Sequence, residues 1–241
     1  MGMRIFDTDP DAKRERTPAS YADEFDGKLS GGKMENGNPV SLSEWRFVLP
    51  KQETADALEQ LYGGRSTELE TDNDYFIELL TNAKQLSVIL DGPKAVQSDL
   101  KLFNQAKKLA HHCDGVVFLS DEPVGAMRSA GEDCGCPTSL SERKALARDF
   151  MGPKPSISVT FSLADDPELG TFRYQTGSWT LAEILWEAEE DLSDIGGEAL
   201  ATLTLEPVEF VAKGGPMKGK TVSYTKPVLR VIKSLNSAVA D

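Results

Sequence analysis

Pairs of β-rich runs joined by short, turn-bearing loops constrain the fold of this chain more than any other feature. Residues 157–163 and 172–176 flank Asp165-Asp166-Pro167, and residues 200–211 and 221–232 flank the Gly- and Lys-rich loop at 213–220. A parallel neighbour needs a crossover of about a dozen residues or more, so connections this short make antiparallel pairs. Elsewhere strands and helices are interspersed without a regular βαβ alternation. The expected fold is α+β, an antiparallel or mixed β-sheet with several helices and an irregular insert that carries cysteine and histidine.

Residues 1–40 hold Asp9-Pro10, Thr17-Pro18, Gly31-Gly32 and Asn36-Gly37-Asn38-Pro39 with few periodic apolar positions, and they read as an extended or flexible arm. The globular region is expected over 41–235, with the insert at about 111–138 and a tail at 236–241. Trp45 to Leu49 reads as a strand stopped by Pro50, and 52–62 as a helix with Ala57, Leu58, Leu61 and Tyr62 at helical spacing before Gly63-Gly64. Residues 75–80 and 85–90 suit a hairpin across Thr81-Asn82-Ala83-Lys84. Val96, Leu100, Phe103 and Leu109 then give a helical stripe, and a short apolar strand is expected at 116–119. Ser139 with Glu142, and Thr180 with Glu183, have the spacing of capping boxes. The first would open a helix to about Phe150, the second a helix with the stripe Leu181, Ile184, Leu185, Ala188 and Leu192.

Charge bounds the partners. The 39 Asp+Glu against 26 Lys+Arg leave a formal net charge of -13, which repels duplex DNA or RNA at long range and suits a protein partner better. No stretch approaches the ~18 to 20 unbroken apolar residues of a membrane span, and 1–10 lacks the apolar run of a secretory signal, so the expected location is cytoplasmic. The acid is concentrated on one helix face, Glu183, Glu187, Glu189, Glu190, Asp191 and Asp194. Lys213, Lys218, Lys220, Lys226, Arg230 and Lys233 make the closing hairpin basic. Its loop lies between strands rather than before a helix, so it reads as a hairpin tip and not as a phosphate cradle. Those lysines are either a solvated rim or a positive surface for an acidic partner, or for DNA already held by that partner. Trp179 and Trp186, seven apart, would share one face of a continuous helix, a hot spot if exposed and ordinary core if buried.

The chemistry-bearing residues cluster in the insert. All 3 Cys and both His of the chain fall between 111 and 136. An odd number of cysteines in a reducing compartment points to thiols or metal ligands rather than a disulfide framework. His112, Cys113, Cys134 and Cys136 form a candidate structural zinc site, since such a site closes a tetrahedron of four Cys or His ligands. The C-x-C spacing is tighter than the usual knuckle, and ligation by adjacent His112 and Cys113 is awkward, which leaves His111 as the alternative fourth ligand. The insert has too few apolar residues to hold itself together, and zinc can contribute folding free energy on the order of 10 kcal/mol. The competing interpretation makes the cysteines small buried hydrophobes and the histidines the end of a helix. Signatures of zinc deaminases, P-loops, dinucleotide folds, zincins and serine hydrolases are absent, so no enzymatic activity is expected.

Several blocks occur together in a recognisable order. They are Arg4-Ile5-Phe6-Asp7-Thr8-Asp9-Pro10, Leu42-Ser43-Glu44-Trp45-Arg46-Phe47, Glu59-Gln60-Leu61-Tyr62-Gly63-Gly64, Cys113-Asp114-Gly115, Leu119-Ser120-Asp121-Glu122-Pro123 and Cys134-Gly135-Cys136-Pro137, then the strand at 157–163. Over roughly residues 4–232 the chain resembles the recombination directionality factors of actinophages, most closely those of Streptomyces phages. The resemblance implies a protein that binds a phage-encoded large serine integrase and switches it from integration to excision by recombining the hybrid attachment sites. It implies protein contact without sequence-specific DNA binding by the factor itself. Relatives carry extra cysteines near the positions of Leu109 and Pro153, so here His111 or His112 becomes necessary to complete a zinc site. The alternative function is a DNA-binding accessory or replication protein of a phage with a structural zinc.

Overall fold

The computed structural model describes residues 25–71, 74–120, 129–213 and 218–238. The strands are β1 (Gly27–Glu35), β2 (Asn38–Leu49), β3 (Arg65–Glu68), β4 (Ile77–Leu80), β5 (Gln85–Asp91), β6 (Val96–Phe103), β7 (Leu109–Cys113), β8 (Lys154–Leu163), β9 (Phe172–Thr176), β10 (Glu198–Val211) and β11 (Thr221–Ser234). The helices are α1 (Gln52–Tyr62), α2 (Leu140–Arg148), α3 (Trp179–Ala182), α4 (Leu185–Ile195) and α5 (Leu235–Ala238). One mixed sheet runs in the order β11-β10-β5-β8-β9-β1-β2-β4-β3, with β6 and then β7 branching from β8. Pairing is antiparallel throughout except between β1 and β9. This is the expected α+β class.

The two short-loop pairs form as their sequences require, β8 with β9 and β10 with β11. Along β8 the alternate residues Ile157, Val159, Phe161 and Leu163 are buried, and along β10 Ala199, Ala201, Leu203 and Leu205, the period-2 signature of strands facing a core. The sheet closes on itself around Trp45. Between Ser41 and Arg46, β2 leaves its register with β1. There the Trp45 indole donates to Leu203 O at 3.2 Å, and the Thr225 hydroxyl donates to Leu42 O at 2.7 Å. Edge-on ring pairs, Trp45 with Tyr174 and Phe47 with Phe172, fill the space between. Helix α4 covers one side with Leu185, Ala188 and Leu192, and α1 another with Ala55 and Leu58.

Four local expectations are corrected. Residues 27–40, read as part of an extended arm, are β1 and the start of β2, while 1–24 lie outside the described residues. Asn36 and Gly37 have φ 50 and 78 between the paired Glu35 and Asn38, the two-residue turn that Asn-Gly favours because both positions need positive φ. Strands β4 and β5 do not pair with each other: β4 joins β2 and β3, and β5 joins β10 and β8. The intervening residues are held instead by Trp45, whose N–H donates to Ala83 O and whose carbonyl accepts from Thr81 N and Oγ1. The expected helix after Gly92-Pro93 is the strand β6, docked on β8. Residues 116–119 make isolated bridges at Val117 and Phe118 rather than a strand.

The helix starts also differ from their sequence signatures. Ser139 occupies the N-cap of α2 without a side-chain cap bond, its hydroxyl pairing with Ser141 Oγ, and the helix ends at Arg148. The cap of α3 is Ser178, whose side chain accepts from Leu181 N, and not Thr180. The expected single helix is interrupted at Glu183 and Ile184, although its apolar stripe stays buried at Leu181, Leu185, Ala188 and Leu192. Of the expected tail, residues 236–238 continue the turn of helix α5.

A candidate metal centre in the cysteine clip

The β6–β7 hairpin sets the geometry of the insert. Because side chains alternate along β7, His111 and Cys113 fall on one face and His112 on the other. The imidazole of His112 is occupied there, with Nδ1 3.0 Å from Ser120 Oγ and Nε2 3.1 Å from Asp99 Oδ2. The structure therefore gathers His111, and not His112, with Cys113, Cys134 and Cys136, their donor atoms all within 4.8 Å of one another. A continuous helix through Leu109 would have hidden this parity, and it is the strand period that selects the histidine.

After Cys113 the chain turns back sharply. The Asp114 carboxylate accepts from Val116 N at 2.7 Å and Val117 N at 2.8 Å, bonds that hold its pKa below the ordinary carboxylate value. Cys134 N donates to Val116 O at 2.9 Å, bringing the C-x-C pair beside Cys113. Within that pair Gly135 takes φ 67, and Cys136 N points at Cys134 Sγ at 3.5 Å. An amide donating to a ligand thiolate is a common supporting contact for metal sulfur sites.

The spacing of the donors fits a tetrahedral ion. Cys113 Sγ and Cys136 Sγ are 3.8 Å apart, and Cys136 Sγ lies 3.5 Å from His111 Nε2. Zinc with Zn–S of about 2.3 Å and Zn–N of about 2.0–2.1 Å spans tetrahedral edges of about 3.8 Å between two sulfurs and about 3.6 Å between sulfur and nitrogen. A disulfide would need about 2.05 Å, and all three cysteines are free. Three thiols with one imidazole make a closed donor set of the kind that structural zinc takes. Burial raises the thiol pKa of both Cys113 and Cys136, while the Arg143 guanidinium draws the latter back down.

Arg143 of α2 binds both halves of the clip. Its Nη2 donates to Gly115 O at 2.7 Å and its Nε to Pro137 O. Gly115 has φ 102, a conformation that strains any L side chain, and a Cβ there would stand 2.3 Å from Arg143 Nη1 and displace the guanidinium. Helix α2 is in turn tied to the α3–α4 connection by the Lys144–Glu183 ion pair. Sequence reading passed over Arg143, Asp99 and Ser120, since nothing local marks an arginine that acts on carbonyls brought close only by the fold.

Of the remaining sequence-marked features, Lys213 and Lys220 flank the tip of the β10–β11 hairpin, where 214–217 lie outside the described residues. Trp186 is exposed and Trp179 half-buried. No helix among the described residues is long and apolar enough to cross a membrane. No solved structure matches the chain. The family model described as Gp3-like, recombination directionality factor-like, matches residues 17–232, taking in the sheet, the clip and the basic hairpin together. The chain thus belongs to the Gp3-like, recombination directionality factor-like family.

Proposed function

We propose that this protein binds a phage-encoded large serine integrase and switches it from integration to excision, with zinc held by His111, Cys113, Cys134 and Cys136 as a structural ion. The observation that carries the directional role is the family match over residues 17–232. The net charge of -13 supports action through protein contact, because strong phosphate binding needs surplus lysine and arginine. The recombination chemistry belongs to the integrase. The factor acts by linkage: binding one synaptic arrangement more tightly than another shifts the balance by that difference and no more. About 3 kcal/mol of differential affinity changes the preference ~150-fold.

Zinc, when bound, supplies a rigid cross-link between β7 and the C-x-C turn. This chain's residues do the rest: Arg143 holds the two flanking carbonyls, and the Asp99–His112–Ser120 bonds keep the second histidine on the opposite face of β7. Purified integrase of the same phage, with this protein added to hybrid-site or to phage and bacterial site pairs, tests the reading. Hybrid-site recombination only in its presence, with the forward reaction reduced, is the expected result. An active integrase unaffected in both reactions by folded protein would overturn it.

A further inference from the structure

Beside the clip lies an open groove of about 450 Å3, walled by β6, β8, α2 and α3. Leu100, Leu140, Ile157 and Trp179 give it an apolar lining, with the carboxylates of Asp114 and Glu183 at its sides. Arg143 is the one cation of that lining, and its guanidinium is committed to Gly115 O and Pro137 O. The groove residue Ser98 reaches α4, its hydroxyl donating to Glu189 Oε1 at 2.9 Å. Trp186 follows the groove residues Ala182 and Glu183 by four and three positions and is 58% exposed. Glu187 and Glu190, one position and one helical turn from it, are exposed as well.

An indole this exposed is unusual for a free surface and typical of a contact anchor. Lys144 pairs with Glu183 at the groove itself, so the negative charge comes from α4, where no Lys, Arg or His stands between Arg173 and Lys213 and the exposed Glu187, Glu190, Asp191 and Asp194 follow Trp186. A surface that combines apolar recesses with negative potential is complemented by apolar side chains flanked by lysine or arginine. An acidic segment or nucleic acid would be repelled there.

We propose that this groove and the adjoining Trp186 dock a basic, apolar-anchored segment of the protein partner. The inference rests on the integrase reading above and names the surface and the chemistry through which that contact is made. One wall of the groove, Asp114 and Thr138, belongs to the clip itself, so the metal centre shapes the recess although it touches no partner.

Binding of the full-length protein to purified integrase of the same phage, measured by interferometry across a salt series, tests the docking site. Trp186→Ala is expected to weaken binding about tenfold or more. The double reversal Glu187→Lys with Glu190→Lys is expected to weaken it at low salt and flatten its salt dependence. Near-UV circular dichroism and zinc content report that the fold is retained in each variant, and the distant reversal Lys218→Glu serves as the control. Wild-type affinity and salt dependence in both surface variants would overturn the docking site while leaving the integrase reading intact. No binding by the wild-type protein would overturn that reading, and the docking site with it.

Discussion

The sheet interior packs Trp45, Phe47, Phe161 and Phe172 against aliphatic side chains from strands throughout the sheet and from α1 and α4. Among the described residues the clip buries Phe118 with Cys113 and Cys134 and has Leu100 and Cys136 packed against them. Apolar burial contributes about 25 cal/mol per Å2, so the first region is held by area alone. The second shows little such area among the described residues and has donors instead, Arg143 on two carbonyls and the four-ligand cluster that on our proposal holds an ion. A region stabilised by area tolerates chelators and fails through cavities. One stabilised by ligands fails when its ion leaves, and the core beside it stays folded.

Removing a ligand should produce the largest effect. Structural zinc in small domains is worth about 10–16 kcal/mol, so Cys113→Ser should leave under about a tenth of an equivalent of zinc by elemental analysis. Amide exchange across 109–137 should then accelerate while amides of β8 and β10 stay protected. The same loss should follow acidification. Metal binds the thiolates, and burial raises the Cys113 and Cys136 pKa values, so occupancy falls as pH drops and adding zinc to apo protein releases protons. Next in size is Phe161→Ala, expected to cost about 3–5 kcal/mol in urea unfolding, equally with and without chelator. A chelator-dependent cost would erase the distinction between the two regions.

Arg143→Ala should be smaller, about 1–3 kcal/mol, since it strands two carbonyls. It should weaken zinc binding with the ligands intact, measured by competition with a chromophoric chelator. The histidines sharpen the comparison further: His111→Ala should lose the metal, whereas His112→Ala should keep it and cost about 1 kcal/mol for its side-chain bonds. The smallest effect is expected from reversing Lys213, Lys218 and Lys220, within about 0.5 kcal/mol in stability. Full recombination activity in that triple variant would show that the basic tip is solvated rim.

What the sequence disclosed divides along similar physical lines. Strands β8 to β11 were legible because each partner lies a short loop away and each alternates toward the core. Strand β6 was not, because Val96, Leu100 and Phe103 recur at three and four residues, a helical spacing, while its docking on β8 is decided by residues sixty positions distant. The Asn36-Gly37 turn was read as a turn, but the strands it joins were missed because residues 34–39 are exposed and carry no apolar alternation. The three cysteines were identified from composition and spacing, but choosing between adjacent histidines needed the strand assignment that the false helical stripe concealed. The groove, shared by β6, β8, α2 and α3, has no local trace in the sequence.

Among the described strands one pairing is parallel, β1 with β9, and it sets an order on synthesis. Strand β1 lies between β2 and β9 in the sheet, so its second neighbour is translated long after β1 itself. The indole bond from Trp45 to Leu203 spans 158 residues, and the core around it cannot shut until β10 has left the ribosome. The nascent β1-β2-β4-β3 sheet therefore waits with the β1 backbone edge unpaired, in reach of other chains. Pairings this distant also make for slow folding after release. Products truncated before β10 should accumulate as aggregates rather than as smaller folded proteins.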